Sequence, residues 1–128
     1  MFTLQFDRKH RLALVRFFGS FTSSDIANFD HAADKFIAVE GPSDFVLDFT
    51  AVRSVAMPDR TMAARGRRPQ RCPGYRRVVV APQPEIFGLY QIFAAHQLRI
   101  GSEAPVIVRT LNDALGLLGV RTPDLSAA

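Results

Sequence analysis

The residues of this chain best suited to chemistry are concentrated between 59 and 77, where Arg60, Arg65, Arg67, Arg68, Arg71, Arg76 and Arg77 stand against one acid, Asp59. Guanidinium groups hold carboxylates and phosphates through planar, two-pronged hydrogen bonds, so the segment suits recognition of an anion or an acidic surface. Bond-making chemistry is not indicated. No nucleophile sits beside a base, no carboxylates pair at a motif spacing, and no cluster of metal-ligand types occurs. Cys72, the one cysteine, has Arg71 and Arg76 nearby, which favours a thiolate, although an isolated loop cysteine is more often incidental. His10 reads as part of a solvated turn with no partner nearby, and His96 as a structural histidine on a helix. The expectation is a protein without catalytic residues, metal or cofactor.

Charge and composition narrow the class. Residues 59 to 77 carry +6, leaving −2 for the remainder of a chain whose formal charge is +4. Fourteen of the sixteen basic residues are Arg, a skew that coding bias explains as readily as anion contacts do. A chain of 128 residues, 48% hydrophobic and 22% charged, is the size and make-up of one soluble domain. No apolar run approaches the roughly 20 residues needed to cross a bilayer, and Met1 is followed by alternating residues instead of a leader pattern. A cytoplasmic location is expected. A single cysteine leaves no internal disulfide.

The elements that must position the arginines follow from periodicity. Phe2 to Phe6 and Leu12 to Phe18 read as a hairpin, with Gly19 ending its second strand. Thr22 and Asp25 form an acidic variant of the capping box, opening a helix whose apolar stripe is Ile26, Phe29, Ala33, Phe36 and Ile37 and whose end is Gly41-Pro42. Phe45 to Phe49 is a strand buried on both faces, within which Asp48 is expected to accept from backbone N–H groups that follow it. Ala51 to Met57 reads as a connection. Pro58 suits a helix start, so a helix over Asp59 to Gly66 follows, with Arg60, Arg67 and Arg68 pointing outward. Pro69, Pro73 and Gly74 then impose an arginine-rich loop.

Tyr75 to Ala81 is the next strand, and Pro84 opens a long helix with Ile86, Leu89, Tyr90, Phe93, Ala94 and Leu98 facing inward. Ala104 to Arg109 is a fifth strand, Thr110 with Asp113 caps a last helix, and Gly119 stops it. One domain over 1–120 is expected, with residues 121–128 as a flexible tail. The order ββαβαβαβα specifies an α/β domain with a mixed, mostly parallel sheet packed against helices.

The hairpin, the helix after Gly19-Ser20-Phe21-Thr22, the Phe45-Val46-Leu47-Asp48-Phe49-Thr50-Ala51-Val52 segment and the closing pattern from Ala81-Pro82 through Phe87-Gly88-Leu89 to Leu111-Asn112-Asp113-Ala114-Leu115-Gly116-Leu117-Leu118-Gly119 resemble the SpoIIAA-like, or STAS-like, domains. The resemblance covers about residues 1 to 120, and the members similar to this chain are mostly small stand-alone bacterial proteins without an assigned reaction. In anti-sigma-factor antagonists of this kind, an Asp-Ser-Ser-Gly sequence at the next helix start holds a phosphorylatable serine. Here that place is Met57-Pro58-Asp59-Arg60, with no serine or glycine. Ser54 lies early and Thr61 late. Asp59 either supplies a permanent negative charge or complements the helix N-terminus.

The leading functional expectation is a non-enzymatic binding or regulatory module. It would meet the acidic surface of a protein partner through the loop after residues 45–49, helix 58–66 and the arginine-rich loop, using Pro58, Asp59, Arg60, Arg65, Arg67, Arg68 and Arg71. The bland alternative is a solvated face. A second function is binding of an anionic small molecule, nucleotide or lipid headgroup by the same basic region, though no Gly-rich phosphate loop or Walker lysine is present. Nucleic acid is not expected, because no base-reading motif accompanies the charge and only Tyr75 is interleaved with the arginines. Phe17, Phe18 and the long helix supply apolar area for a homodimer.

Overall fold

Residues of the second strand alternate between two apolar environments, and the layering of the protein follows from that period of two. Ala13, Val15 and Phe17 join one buried cluster while Leu12 and Leu14 join another. The computed structural model describes residues 1–128 as strand β1 (Phe2–Asp7), β2 (Leu12–Thr22), helix α1 (Ser23–Glu40), β3 (Asp44–Ala56), α2 (Asp59–Gly66), β4 (Arg77–Val80), α3 (Pro84–Arg99), β5 (Val106–Val108), α4 (Leu111–Leu118) and β6 (Ser126–Ala127). One six-stranded sheet has the order β5-β4-β3-β2-β1-β6. Strands β2 to β5 are parallel, and β1 is antiparallel to both its neighbours. The α/β class expected from the sequence holds. No helix is long and apolar enough to cross a membrane.

On one face of the sheet, α1, α2 and α3 cover Phe45, Leu47, Phe49 and Val79, whereas α4 alone packs on Val46, Val78 and Val80 of the other. Aromatic rings dominate the thicker layer. Phe17 of β2 stacks on Phe49 of β3 with centroids 4.6 Å apart, and Phe21, Phe29 and Tyr90 meet these two rings at steeper angles. Burying each such side chain contributes about 1.5–3 kcal/mol. Phe17 therefore belongs to the core and leaves only Phe18, 39% exposed, of the pair considered for a dimer face.

Capping chemistry sets the helix ends as the residue types require. Thr22 accepts from the Asp25 backbone N–H while the Asp25 carboxylate accepts from that of Thr22, completing the box at α1. Helix α2 has the expected bounds, with Pro58 standing as its N-cap residue just outside it. Thr110 caps α4, and Gly119 closes it in the left-handed conformation at φ 71°.

Three expectations require correction. Gly19 does not end β2, and Ala51 to Ala56 is not a loop: β3 runs on beside β2 to Ala56. The pairing steps from Arg16↔Asp48 to Phe18↔Ala51 and from Gly19↔Val52 to Ser20↔Ser54, so β3 inserts an extra residue twice. These bulges give the inward residues Phe49, Val52 and Val55 a spacing of three, which hides a strand from any search for period two. At the first bulge Asp48 accepts from the Thr50 N–H (2.9 Å) and hydroxyl (2.5 Å), the structural role expected for it.

The second correction concerns α3. Its buried residues are Ile86, Leu89, Tyr90, Phe93 and Gln97, while Leu98 is 64% exposed. The third concerns 121–128, where β6 pairs with Gln5 and Phe6 and the Asp124 N–H donates to Asp7. Buried Asp7 also accepts from the backbone and ring nitrogens of His10, so His10 has a partner three residues before it. Strands β4 and β5 are shorter than Tyr75 to Ala81 and Ala104 to Arg109.

Where α2 crosses α3, Gly66 brings backbone against backbone: a Cβ there would lie 2.6 Å from His96 Cβ and 2.8 Å from the Phe93 carbonyl oxygen. Gly66→Ala is therefore expected to destabilise the fold by about 1–3 kcal/mol in urea unfolding. Gly88→Ala, in α3 with open space around the added carbon, serves as the control and should be neutral or stabilising. Equal stability of the two variants would disprove a close α2–α3 approach at Gly66.

Candidate functional site

Asp30 on α1 is the carboxylate around which the basic segment is arranged. Arg65, from the last turn of α2, meets it in a two-pronged pair: Nη2 donates to Oδ1 at 2.9 Å and Nε to Oδ2 at 3.3 Å. Arg71 donates to the same Oδ1 at 3.0 Å and, through Nε, to Asp34 at 2.7 Å. Arg68 stands 3.6 Å from Oδ2. Burial alone would push the Asp30 carboxyl up, but hydrogen bonds from Arg65 and the charges of Arg65 and Arg71 hold it below the usual carboxylate range.

Arg65 is thus buried and engaged within the fold, and Arg71 is tied down at the rim, so neither is a free member of a surface patch. Arg60 and Arg67 are exposed without an ion pair, and Arg68 is 69% exposed. Asp59 begins α2 at the surface beside the N-cap Pro58. Ser54 lies exposed on β3, its hydroxyl 2.7 Å from that of Ser20, and Thr61 lies in the first turn of α2 with its hydroxyl 3.5 Å from that of Ser23.

Beneath the Asp30 cluster lies a cavity of about 280 Å³, bounded by α1, α3, the start of β3 and β4, and the segment from Arg68 to Arg77. Its apolar lining includes Phe29, Phe45, Leu47, Val79 and Phe93. Its charged lining is four arginines, Arg65, Arg68, Arg71 and Arg77, against two acids, Asp30 and Asp34, an excess of two positive charges. Arg77 has no carboxylate within ion-pair distance; it donates to Gln70 Oε1 and to the Glu103 carbonyl. Burial and then the charge of Arg65 depress its pKa, partly offset by Glu103. Both guanidiniums lie by the ring of Phe93, Arg65 at 5.3 Å and Arg77 at 5.6 Å from its centroid.

Four buried polar atoms on residues lining this cavity have no hydrogen-bond partner: Ser43 Oγ, Arg65 Nη1, Tyr90 Oη and Gln97 Oε1. Gln97 is held by its other end, where Nε2 donates to the carbonyls of Gly66 (2.7 Å) and Arg68 (2.6 Å). Two carbonyl acceptors fix which end of the amide is nitrogen, so the atom left over is an acceptor. Tyr90 is fully enclosed, and burial pushes its hydroxyl up to about 12 although the Arg65 charge works in the other direction. It is a neutral donor throughout the physiological range. Arg65 is close enough to the Tyr90 hydroxyl to act on it as a hydrogen-bond donor and lower its pKa, although neither Oη nor Nη1 reaches full hydrogen-bond geometry.

No protein-family model matches this chain, and no curated protein matches it. The geometry alone has to indicate what the cavity can do. Cys72, at its wall, is buried in the main core cluster. No group of three or more His, Cys, Asp or Glu is placed to hold a metal ion.

Asp30, Ser43, Tyr90 and Gln97 escaped the sequence reading of the site, and Arg77 stood in its basic window but not among its binding residues. The signal available was Gln97, which follows Tyr90 and Phe93 at spacings of seven and four and so places an amide on the inward stripe of α3. Assigning that place to Leu98 concealed it.

The raised Tyr90 pKa gives a pH prediction. Its folded-state value lies above the unfolded value of 10.0, so the stabilisation is complete below the unfolded value and is lost as pH rises through the folded one. Between pH 10 and about 12 the wild type should therefore lose up to about 3 kcal/mol more stability than Tyr90→Phe, measured by urea unfolding. At neutral pH, Tyr90→Phe should be at least as stable as wild type, because it removes a buried hydroxyl that has no partner. Parallel alkaline profiles would contradict the enclosed hydroxyl.

Proposed function

We propose that this protein is a non-enzymatic binding module that takes a small organic anion into the cavity under Asp30 and Arg65. One observation carries the reading: four guanidiniums stand against two carboxylates around a single partly apolar cavity, and Arg77 among them has no carboxylate within ion-pair distance. Guanidinium charge in excess beside apolar walls is what a bound anion would balance. Of the anionic classes considered from the sequence, the volume favours a small molecule over a nucleotide, since ligand pockets usually span about 300–1,000 Å³ and this one falls just below that range.

A finer fold reading accompanies this one, namely a SpoIIAA-like or STAS-like domain. It is supported by a hairpin at one side of a sheet that is otherwise largely parallel. In that frame the position of the switch serine falls at Asp59, and binding would be constitutive instead of phosphorylation-gated.

The test is a thermal-shift screen of carboxylate, phosphate and sulfate anions at millimolar concentration, read together with the alkylation rate of Cys72. A ligand at a hundred times its Kd stabilises by about 2.7 kcal/mol, which raises Tm by several degrees. The same ligand should slow alkylation of Cys72, and Arg77→Met should abolish both effects; the variant strands no carboxylate, and its Tm without ligand is the control for the lost contacts to Gln70 and the Glu103 carbonyl. If no anion moves either readout, the cavity is not an anion site.

The acidic protein partner is a second reading, favoured by the exposure of Arg60, Arg67 and Arg68. The double variant Arg60→Glu, Arg67→Glu leaves the cavity lining unchanged. Loss of a captured partner with this variant, at unaltered anion binding, would assign the surface a separate role. An unchanged set of partners would leave that face as solvated charge.

A further inference from the structure

We infer that the surface recess between α1 and α2 is a docking groove for an acidic segment of a partner protein, one that carries two carboxylates about 10 Å apart. This rests on the reading of an acidic partner above and gives that partner a place and a spacing. The two helices run in the same direction and are bridged at both ends of the recess. At one end the Ser23 and Thr61 hydroxyls stand 3.5 Å apart; at the other Arg65 holds Asp30. From Ser23 to Asp30 the helical rise covers about 10 Å. Between the two bridges the lining includes Ala27 and Ala64, both exposed, whose methyl groups leave the middle of the recess open.

Charge complementarity names the occupant. Three guanidiniums line the recess, Arg60, Arg65 and Arg68, against the single carboxylate of Asp30, an excess of two positive charges. Asp30 is already engaged by Arg65 and Arg71. Arg68 stands 3.6 Å from it, too far for a hydrogen bond, and its side chain is 69% exposed, so a partner's carboxylate can draw it away at little cost. Arg60, exposed in the first turn of α2 beside the hydroxyl end, has no ion pair at all. The two available guanidiniums thus belong to opposite ends of the recess. A free anion meets only one of them, in water, whereas two carboxylates on one chain gain from each other's attachment. Positions i and i+3 of an extended segment are about 10 Å apart, which matches the span. A nucleic acid fits less well, because no aromatic side chain lines the recess to stack a base.

The experiment titrates isotope-labelled protein with a short capped peptide containing Glu-Ala-Ala-Glu, and with its isomer Glu-Glu-Ala-Ala, following backbone amide shifts by NMR, which registers millimolar affinities. The first peptide should shift Ala27 and Ala64 and bind about threefold or more tighter than the isomer. Arg60→Gln and Arg68→Gln should each weaken it about threefold to fivefold, the worth of an exposed ion pair. Arg67→Gln removes the same charge from outside the recess and should cost less than twofold. Ala27→Phe fills the groove without changing charge and should weaken binding about tenfold. Equal affinity of the two isomers would overturn the two-ended spacing. Equal losses at Arg60 and Arg67, with none from Ala27→Phe, would overturn the groove and leave an acidic partner held by diffuse surface charge. No shift with either peptide would overturn the groove and the acidic-partner reading together. An oligonucleotide that shifts the same amides at lower concentration than the peptide would overturn the choice of a protein segment. Cys72 alkylation, the readout of the separate cavity, should be unchanged by the peptide, and slowing would move the peptide into that cavity and overturn the recess.

Discussion

The ion pair between Asp30 and Arg65 is the constraint on which the basic half of this protein depends. Taking a guanidinium and a carboxylate out of water costs several kcal/mol each, and only good geometry with further hydrogen bonds offsets that cost. Here the pair is two-pronged and Arg71 adds a third donor to the carboxylate. Removing Asp30 would leave Arg65 buried without its carboxylate, beside an Arg77 whose charge Glu103 only partly offsets. The pair thereby joins α1 to α2 across the sequence and holds Arg65 buried.

That arrangement divides the arginines into two populations with different work. Arg65, Arg71 and Arg76 are engaged with acids of the fold, Asp30, Asp34 and Asp44. Arg60 and Arg67 have no such partner. Arg77 falls between them, only partly exposed, with a carbonyl and an amide for company but no carboxylate. A positive excess inside a partly apolar cavity is an electrostatic cost that a bound anion would relieve.

Much of the fold was legible because local chemistry and global pattern agree. The Thr22 and Thr110 caps, the bounds of α2 and the buried run Phe45 to Phe49 each depend on short-range rules that tertiary packing did not override. The extension of β3 was illegible because two bulges replace period two by a spacing of three. The site was harder still. Arginine density located the right segment but not which guanidiniums turn inward, since that depends on Asp30, thirty-five residues before Arg65. A one-residue error on α3, Leu98 for Gln97, separated an apolar stripe from one that ends in an amide.

The glycine contact between α2 and α3 also bears on how the cavity can open. With no side chain to act as a compressible layer at Gly66, and with Gln97 holding the carbonyls on either side of Arg67, the two helices have no room to slide past one another. Shear is therefore closed to them. What remains is rotation of the wall formed by residues 69–76, bracketed by Pro69 and by Gly74 at φ 87°. Movement of that wall has to break the hydrogen bonds of Arg71 to Asp30 and Asp34.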